Sequence, residues 1–191
     1  MKIYFTASMS GKEKFGENYE KIVKTMRDLG YEVIADHVLK RNFEDIQKES
    51  VEKREQHFKK VRKWIGEADV IVAEASHPST NVGYEVSMAL DREKPVMVLY
   101  LKDKTPVLLI GVDSEKLALI SYDDKDLKRV LRDNIKDLRD QMDVRFNFFI
   151  SPRIGAYLDW ISKYKRIPRA VFLRRLIEEH MKRNKEYKGG Q

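Results

Sequence analysis

The chain has no cysteine. Disulfide staples, thiolate metal sites and cysteine nucleophiles are therefore excluded. It also has no apolar stretch of membrane-spanning length and nothing resembling a secretory leader, so the expectation is a cytoplasmic protein with no membrane partner. Internal repeats and low-complexity runs are missing, and neither a metal nor a cofactor is expected. Net charge is missing too from most of the chain. Residues 1–140 carry 26 Lys+Arg against 26 Asp+Glu, whereas residues 141–191 carry 12 against 5, so the whole excess of +7 lies in the tail. A neutral domain followed by a small basic one assigns any polyanionic partner to the C-terminus. The 191 residues suffice for one domain of about 100–150 residues and a remainder.

The stretch from Ala68 to Leu90 is where chemistry is expected. Val70, Ile71, Val72 and Ala73 form a continuous β-branched and small apolar run, the pattern of a strand covered on both faces, bracketed by Asp69 and Glu74. Ser76, Ser79, Thr80 and Asn81 then precede a helix whose apolar positions are Val82, Val86, Ala89 and Leu90. Free N–H groups at a helix start attract anions. Glu85, placed in the first turn, would be held ionised by the helix dipole and is a candidate nucleophile.

Lys2–Ala7 reads as the first strand, followed by a small-residue turn in which Ser8, Ser10 and the backbone of Gly11 can donate to a phosphate. An amphipathic helix marked by Tyr19, Ile22, Val23, Met26 and Leu29 stops at Gly30. Glu32–Ala35 is the second strand, with His37 just beyond it at the edge where ligands bind in open α/β sheets. One long charged helix is expected over Glu44–Glu67, with Phe58, Val61, Trp64 and Ile65 against the sheet and His57 facing solvent. Pro95–Leu101 and Leu117–Tyr122 complete the strands, and a helix over Asp124–Arg139 closes the domain. Strand–helix alternation predicts a doubly wound, flavodoxin-like parallel sheet of five strands in the order 2-1-3-4-5.

After Met142 the pattern changes. Val144–Ile150 alternates, with Val144, Phe146, Phe148 and Ile150 on one face and Arg145, Asn147 and Phe149 on the other. Ser151-Pro152 starts a helix with the stripe Ile154, Leu158 and Ile161, and Pro168 starts another. Two domains are thus expected, 1–140 and 141–191.

Three segments carry a resemblance. ADVIVAEASHPSTNVGYE resembles the central motif of the nucleoside 2-deoxyribosyltransferase superfamily, most closely the branch that hydrolyses the N-glycosidic bond of deoxynucleoside 5'-monophosphates. Met1–Gly11 is similar to that branch's first strand and phosphate-side loop, and Gly30–Val38 to its second strand with a terminal His. The resemblance implies Glu85 as the residue that attacks C1', with Tyr4 lining the sugar and base and His37 assisting. It also implies a phosphate cradle of Ser8, Ser10, Gly11, Ser79, Asn81 and Gly83, and a nucleoside monophosphate as substrate or ligand. There are departures: Val61 stands where the motif has an assisting Asp, Ser10 where it has an Arg, and Asn81 where it has a loop Gly. His57 or His37 is then left as a substitute proton donor.

The tail resembles the ribbon-helix-helix fold, in which two chains pair their strands. That implies a homodimer and a possible DNA contact through Arg145 and Asn147, suited to guanine and adenine edges. Phe149, and Pro168 in place of a Ser or Thr cap, depart from that family's pattern. Two functions follow as expectations: an N-glycosidase or transferase acting on nucleotides, or a DNA-binding regulator whose impaired nucleotide domain senses a ligand.

Overall fold

The computed structural model describes residues 1–140, 148–165 and 167–184. They fall into two compact units, Met1–Asp143 and Val144–Gln191. The first runs β1 (Lys2–Ala7), α1 (Lys12–Asp28), β2 (Glu32–Ile34), α2 (Asp36–Leu39), α3 (Phe43–Gln47), α4 (Val51–Glu67), β3 (Val70–Glu74), α5 (Thr80–Asp91), β4 (Val96–Leu101), α6 (Val107–Ile110), β5 (Leu117–Tyr122) and α7 (Leu127–Asp140). All strand pairings are parallel and the order is β2-β1-β3-β4-β5, as the alternation predicted.

Alternation along the strands divides the core in two. Ile3, Phe5, Val70 and Val72 face α1 and α7, meeting Tyr19, Ile22, Leu131 and Ile135. Tyr4, Ile71 and Ala73 face α4 and α5, meeting Val61, Ile65, Val82 and Val86. All five residues of β3 are buried, which explains its unbroken apolar run and draws Glu74 into the strand rather than leaving it as a bracket.

Several boundaries differ from expectation. The long helix over Glu44–Glu67 is two helices, because Ser50 Oγ accepts the Lys53 N–H and starts α4 afresh. Helix α7 begins three residues late: the Asp123 carboxylate accepts the N–H groups of Lys125 and Asp126, while that of Asp126 accepts the Asp123 N–H, tying down the entry to the helix. Helix α1 stops as expected, with Gly30 at φ +86°. The short α6 was not expected at all.

In the second unit, α8 (Pro152–Tyr164) starts as its sequence dictates, with Ser151 Oγ accepting the Ile154 N–H and Pro152 at the first helical position. Helix α9 (Arg169–Arg183) follows Pro168, which caps nothing by side chain. Leu158 and Ile161 are buried, but Ile154 of the expected stripe is exposed. Of the expected strand, residues 144–147 lie outside the described residues, Arg145 and Asn147 among them. Phe148–Ile150 form no strand, since no second strand among the described residues of this unit offers them a ladder.

Candidate active site

Between α3, α4 and α5 lies a cavity of about 430 Å³ lined by His57, Phe58, Val61, Asn81, Tyr84, Glu85 and Met88 among others. Glu85 is the sixth residue of α5, not a first-turn residue, because the helix starts at Thr80 behind the Ser79 cap. The dipole argument for its ionisation therefore fails, since that effect fades within one turn. Its environment is set by β1 instead. Tyr4 donates from its hydroxyl to Glu85 Oε2 at 3.0 Å, and the Thr6 hydroxyl, two residues on and so on the same strand face, also bonds the carboxylate. Burial pushes the Glu85 carboxyl above its ordinary value and the two hydroxyls pull it back. Burial, together with the Glu85 charge, pushes the Tyr4 hydroxyl far up, so it remains a neutral donor.

Short helix α2 carries His37, and its exit is pinned by Lys12, whose Nζ donates to the carbonyls of Leu39 and Arg41 at 2.6 and 2.7 Å. The His37 ring stacks on Tyr4 with centroids 5.0 Å apart and planes 5° from parallel, and lies 5.0 Å from Trp64. Burial, with His57 and Arg41 nearby, drives its pKa down to about 3. Both ring nitrogens are buried and lack a hydrogen-bond partner among the described residues. An imidazole held neutral in this way offers a ligand one donor and one acceptor.

His57 does not face solvent, as the sequence suggested. It is half-buried and lies 6.1 Å from both the His37 and the Trp64 rings, on the same side of α4 as Val61. Burial and Arg41 lower its pKa, and Glu49 opposes them.

The Ser8–Gly11 loop is largely satisfied within itself. Ser8 is buried, with its hydroxyl 3.1 Å from Ser10 Oγ and 3.3 Å from His77 Nδ1, and it accepts the Gly11 N–H at 3.2 Å. Ser10 alone of the three is exposed. Through His77 this loop meets the segment leading into α5, where Ser79 caps the helix and a Cβ on Gly83 would meet open space. The approach of the two loops requires glycine at position 11, where a Cβ would lie 2.6 Å from His77 Cβ and 2.7 Å from its Cγ. Gly11→Ala should therefore cost about 1–3 kcal/mol, as other overpacking changes do, read as a lower midpoint in urea with an unchanged slope.

Sequence reasoning missed Thr6, Trp64, Phe58, Tyr84 and Met88 as site residues. Thr6 was findable, since it shares a strand face with Tyr4; the others depend on how α4 and α5 meet. Glu74 is a second buried carboxyl, but by alternation it lies on the opposite face of the sheet, where Tyr122 donates to Oε1 at 3.2 Å and the Ser76 hydroxyl bonds the same oxygen. Burial raises its pKa. Among the described residues no group of three or more His, Asp or Glu side chains is placed to hold a metal ion, and no helix is long and apolar enough to cross a membrane.

Residues 3–140 match the family described as nucleoside 2-deoxyribosyltransferase. A Thermofilum pendens protein, named provisionally 2'-deoxynucleoside 5'-phosphate N-hydrolase 1, is 34% identical over 129 residues, covering 66% of this chain and 88% of that protein. A Syntrophotalea carbinolica protein named in the same way is 32% identical over 143 residues, covering 72% and 96%. A 5-hydroxymethyl-dUMP N-hydrolase from Tetraodon nigroviridis is 29% identical over 138 residues, covering 70% and 96%.

Proposed function

Because the chain belongs to the nucleoside 2-deoxyribosyltransferase family, we propose that it cleaves the N-glycosidic bond of deoxynucleoside 5'-monophosphates, with Glu85 as the nucleophile. The observation that carries this reading is the Glu85 carboxylate in a cavity of nucleotide size, oriented by the Tyr4 hydroxyl at 3.0 Å. In this reading one carboxylate oxygen attacks C1' and the base departs with the electron pair of the C–N bond. Water, or a second base in a transfer reaction, then resolves the glycosyl ester, the two-step logic of retaining glycosidases. Burial suits Glu85 to the task, because a poorly solvated carboxylate is a stronger nucleophile than a hydrated one. The neutral His37 ring hydrogen-bonds the sugar or base. Ser8, Ser10, Gly11, Ser79, Asn81 and Gly83 are assigned to the 5'-phosphate, received chiefly by Ser10 and the exposed start of α5.

The test is incubation with a panel of deoxynucleoside and ribonucleoside 5'-monophosphates, scored for free base and sugar 5-phosphate. Deoxynucleotides are expected to release base. Nucleotide binding without any release would leave the sensor reading in its place.

Val61 is an apolar residue in the same cavity as Glu85. Val61→Asp is expected to raise base release at neutral pH by about 10- to 100-fold, because a carboxyl there can supply or steady the proton for the departing base. It should also lower the melting temperature, since a new buried carboxylate costs stability. A folded, nucleotide-binding Val61→Asp variant with no gain would show that a carboxyl at position 61 does not reach the departing base.

A second reading concerns residues 141–191. We propose that they form a ribbon-helix-helix-like module that pairs two chains and contacts DNA, Arg145 and Asn147 facing the bases. The basic tally of this segment supports it, as does an exposed row of rings on α8. Tyr157 and Trp160 lie 6.1 Å apart, Trp160 and Tyr164 5.9 Å apart, and Lys165 and Lys163 sit over the last two. Two helices and one strand cannot bury a sufficient core alone, which favours pairing.

A further inference from the structure

We infer that His57 is the acid that protonates the departing base, acting from α4 across the cavity from Glu85 on α5. The inference rests on the N-glycosidase reading and deepens it.

His57, Val61 and Trp64 recur at four- and three-residue spacing, so one side of α4 carries them together. His57 and Glu85 line the same cavity from two different helices. A base leaving C1' departs far more easily as a neutral molecule, which requires a proton on a ring nitrogen or carbonyl oxygen as the bond breaks. Of the other groups in and beside this cavity, Tyr84 is exposed and the rest are committed elsewhere. Arg54 donates to the Gln47 carbonyl at 2.7 Å. Glu49 is paired with Arg41, which holds it ionised. Tyr4 is committed to Glu85, and His37 is stacked on Tyr4 with both ring nitrogens buried.

His57 is left: it is half-buried and its side chain lines the cavity that Glu85 also lines. The groups around it are His37 from α2, Arg41 and Glu49 from the segments flanking α3, and Lys60 from its own helix. Arg41, Lys60 and burial favour the neutral ring, and Glu49 favours the imidazolium.

The step balances as follows. A Glu85 oxygen bonds to C1' while the C1'–N bond breaks toward the base, and a His57 ring N–H passes its proton to the base. The base leaves neutral, and His57 becomes a neutral imidazole. Water then attacks C1', His57 takes its proton, and the ester breaks back to the Glu85 carboxylate. Water is consumed, and free base and deoxyribose 5-phosphate are released.

The test measures base release against pH for the whole protein and for His57→Ala and His57→Asn, the latter keeping a polar side chain against Trp64. Two substrates are used: the unmodified deoxynucleoside 5'-monophosphate cleaved fastest, and 7-methyl-dGMP, whose cationic base leaves neutral without a proton. With the unmodified substrate both variants should lose about 10²- to 10⁴-fold in kcat/KM, and the fall in kcat/KM as pH rises through the lowered His57 value should disappear. With 7-methyl-dGMP they should retain kcat/KM to within about threefold, because kcat/KM reports the steps up to base release and not the later hydrolysis of the ester. A fall with rising pH that survives in the variants, or an equal loss of kcat/KM on both substrates, overturns the assignment. If the unaltered protein releases base from neither substrate, the N-glycosidase reading itself fails; if it does and the variants match it, only the role of His57 falls.

Discussion

Glu85→Gln is expected to lower base release by on the order of 10⁴-fold or more, the scale on which loss of a covalent nucleophile is felt. The substitution keeps the size of the side chain and an oxygen able to accept from the Tyr4 and Thr6 hydroxyls, but an amide cannot form the glycosyl ester. It should not unfold the protein. Burial holds the Glu85 carboxyl above its ordinary pKa, so above that raised value the folded state carries a charge that folding disfavours, and stability is lost as pH rises through it. The neutral amide removes that cost, and the melting temperature at pH 7 should hold or rise. Activity changes with the opposite sign: falling pH protonates the nucleophile, so the acid limb of kcat/KM should lie above the usual carboxylate range. An unchanged rate in Glu85→Gln would place the activity elsewhere in the protein or in a contaminant.

The second large effect is expected in the tail. If the segment 141–191 contacts about six phosphates, raising salt from roughly 50 to 200 mM should weaken binding to duplex DNA on the order of 10³-fold, with about one unit of log–log slope per phosphate. Truncation after residue 140 should abolish that binding and most self-association while leaving base release intact, because residues 1–140 have no net charge and contain both faces of the main core. Arg145→Ala should relax sequence preference, and Trp160→Ala should weaken binding without altering the salt slope. DNA affinity that survives truncation would exclude the tail as the contact.

Most of the architecture was legible because its causes are local. Mainly apolar runs of four to seven residues at Lys2–Ala7, Val70–Ala73 and Pro95–Leu101, separated by helical stretches, leave a parallel sheet as almost the only arrangement that buries them, and right-handed crossovers fix its order. The break before α4 was overlooked although Ser50 marks it, because the charged run on either side is uninterrupted. Helix α6 is only four residues long and turns once, too little to leave a period.

The site was legible in part. Glu85, Tyr4 and His37 stood out by residue type and by position near strand ends, but the reason given for Glu85 was wrong, because a shift of two residues in the start of α5 removes it from the reach of the dipole. The sequence by itself determined which strands of the five-stranded sheet form, their order, the glycine stop after α1, and the concentration of positive charge in the last fifty residues; these follow from periodicity, propensity and composition, which act over a few neighbours. Only the tertiary structure decided that Glu85 is governed by burial and two β1 hydroxyls, that His37 is neutral, and that His57 faces a cavity instead of water. Those properties depend on desolvation and on contacts between α2, α4, α5 and β1, segments up to about eighty residues apart in the chain, and no local pattern encodes how much water such a meeting excludes.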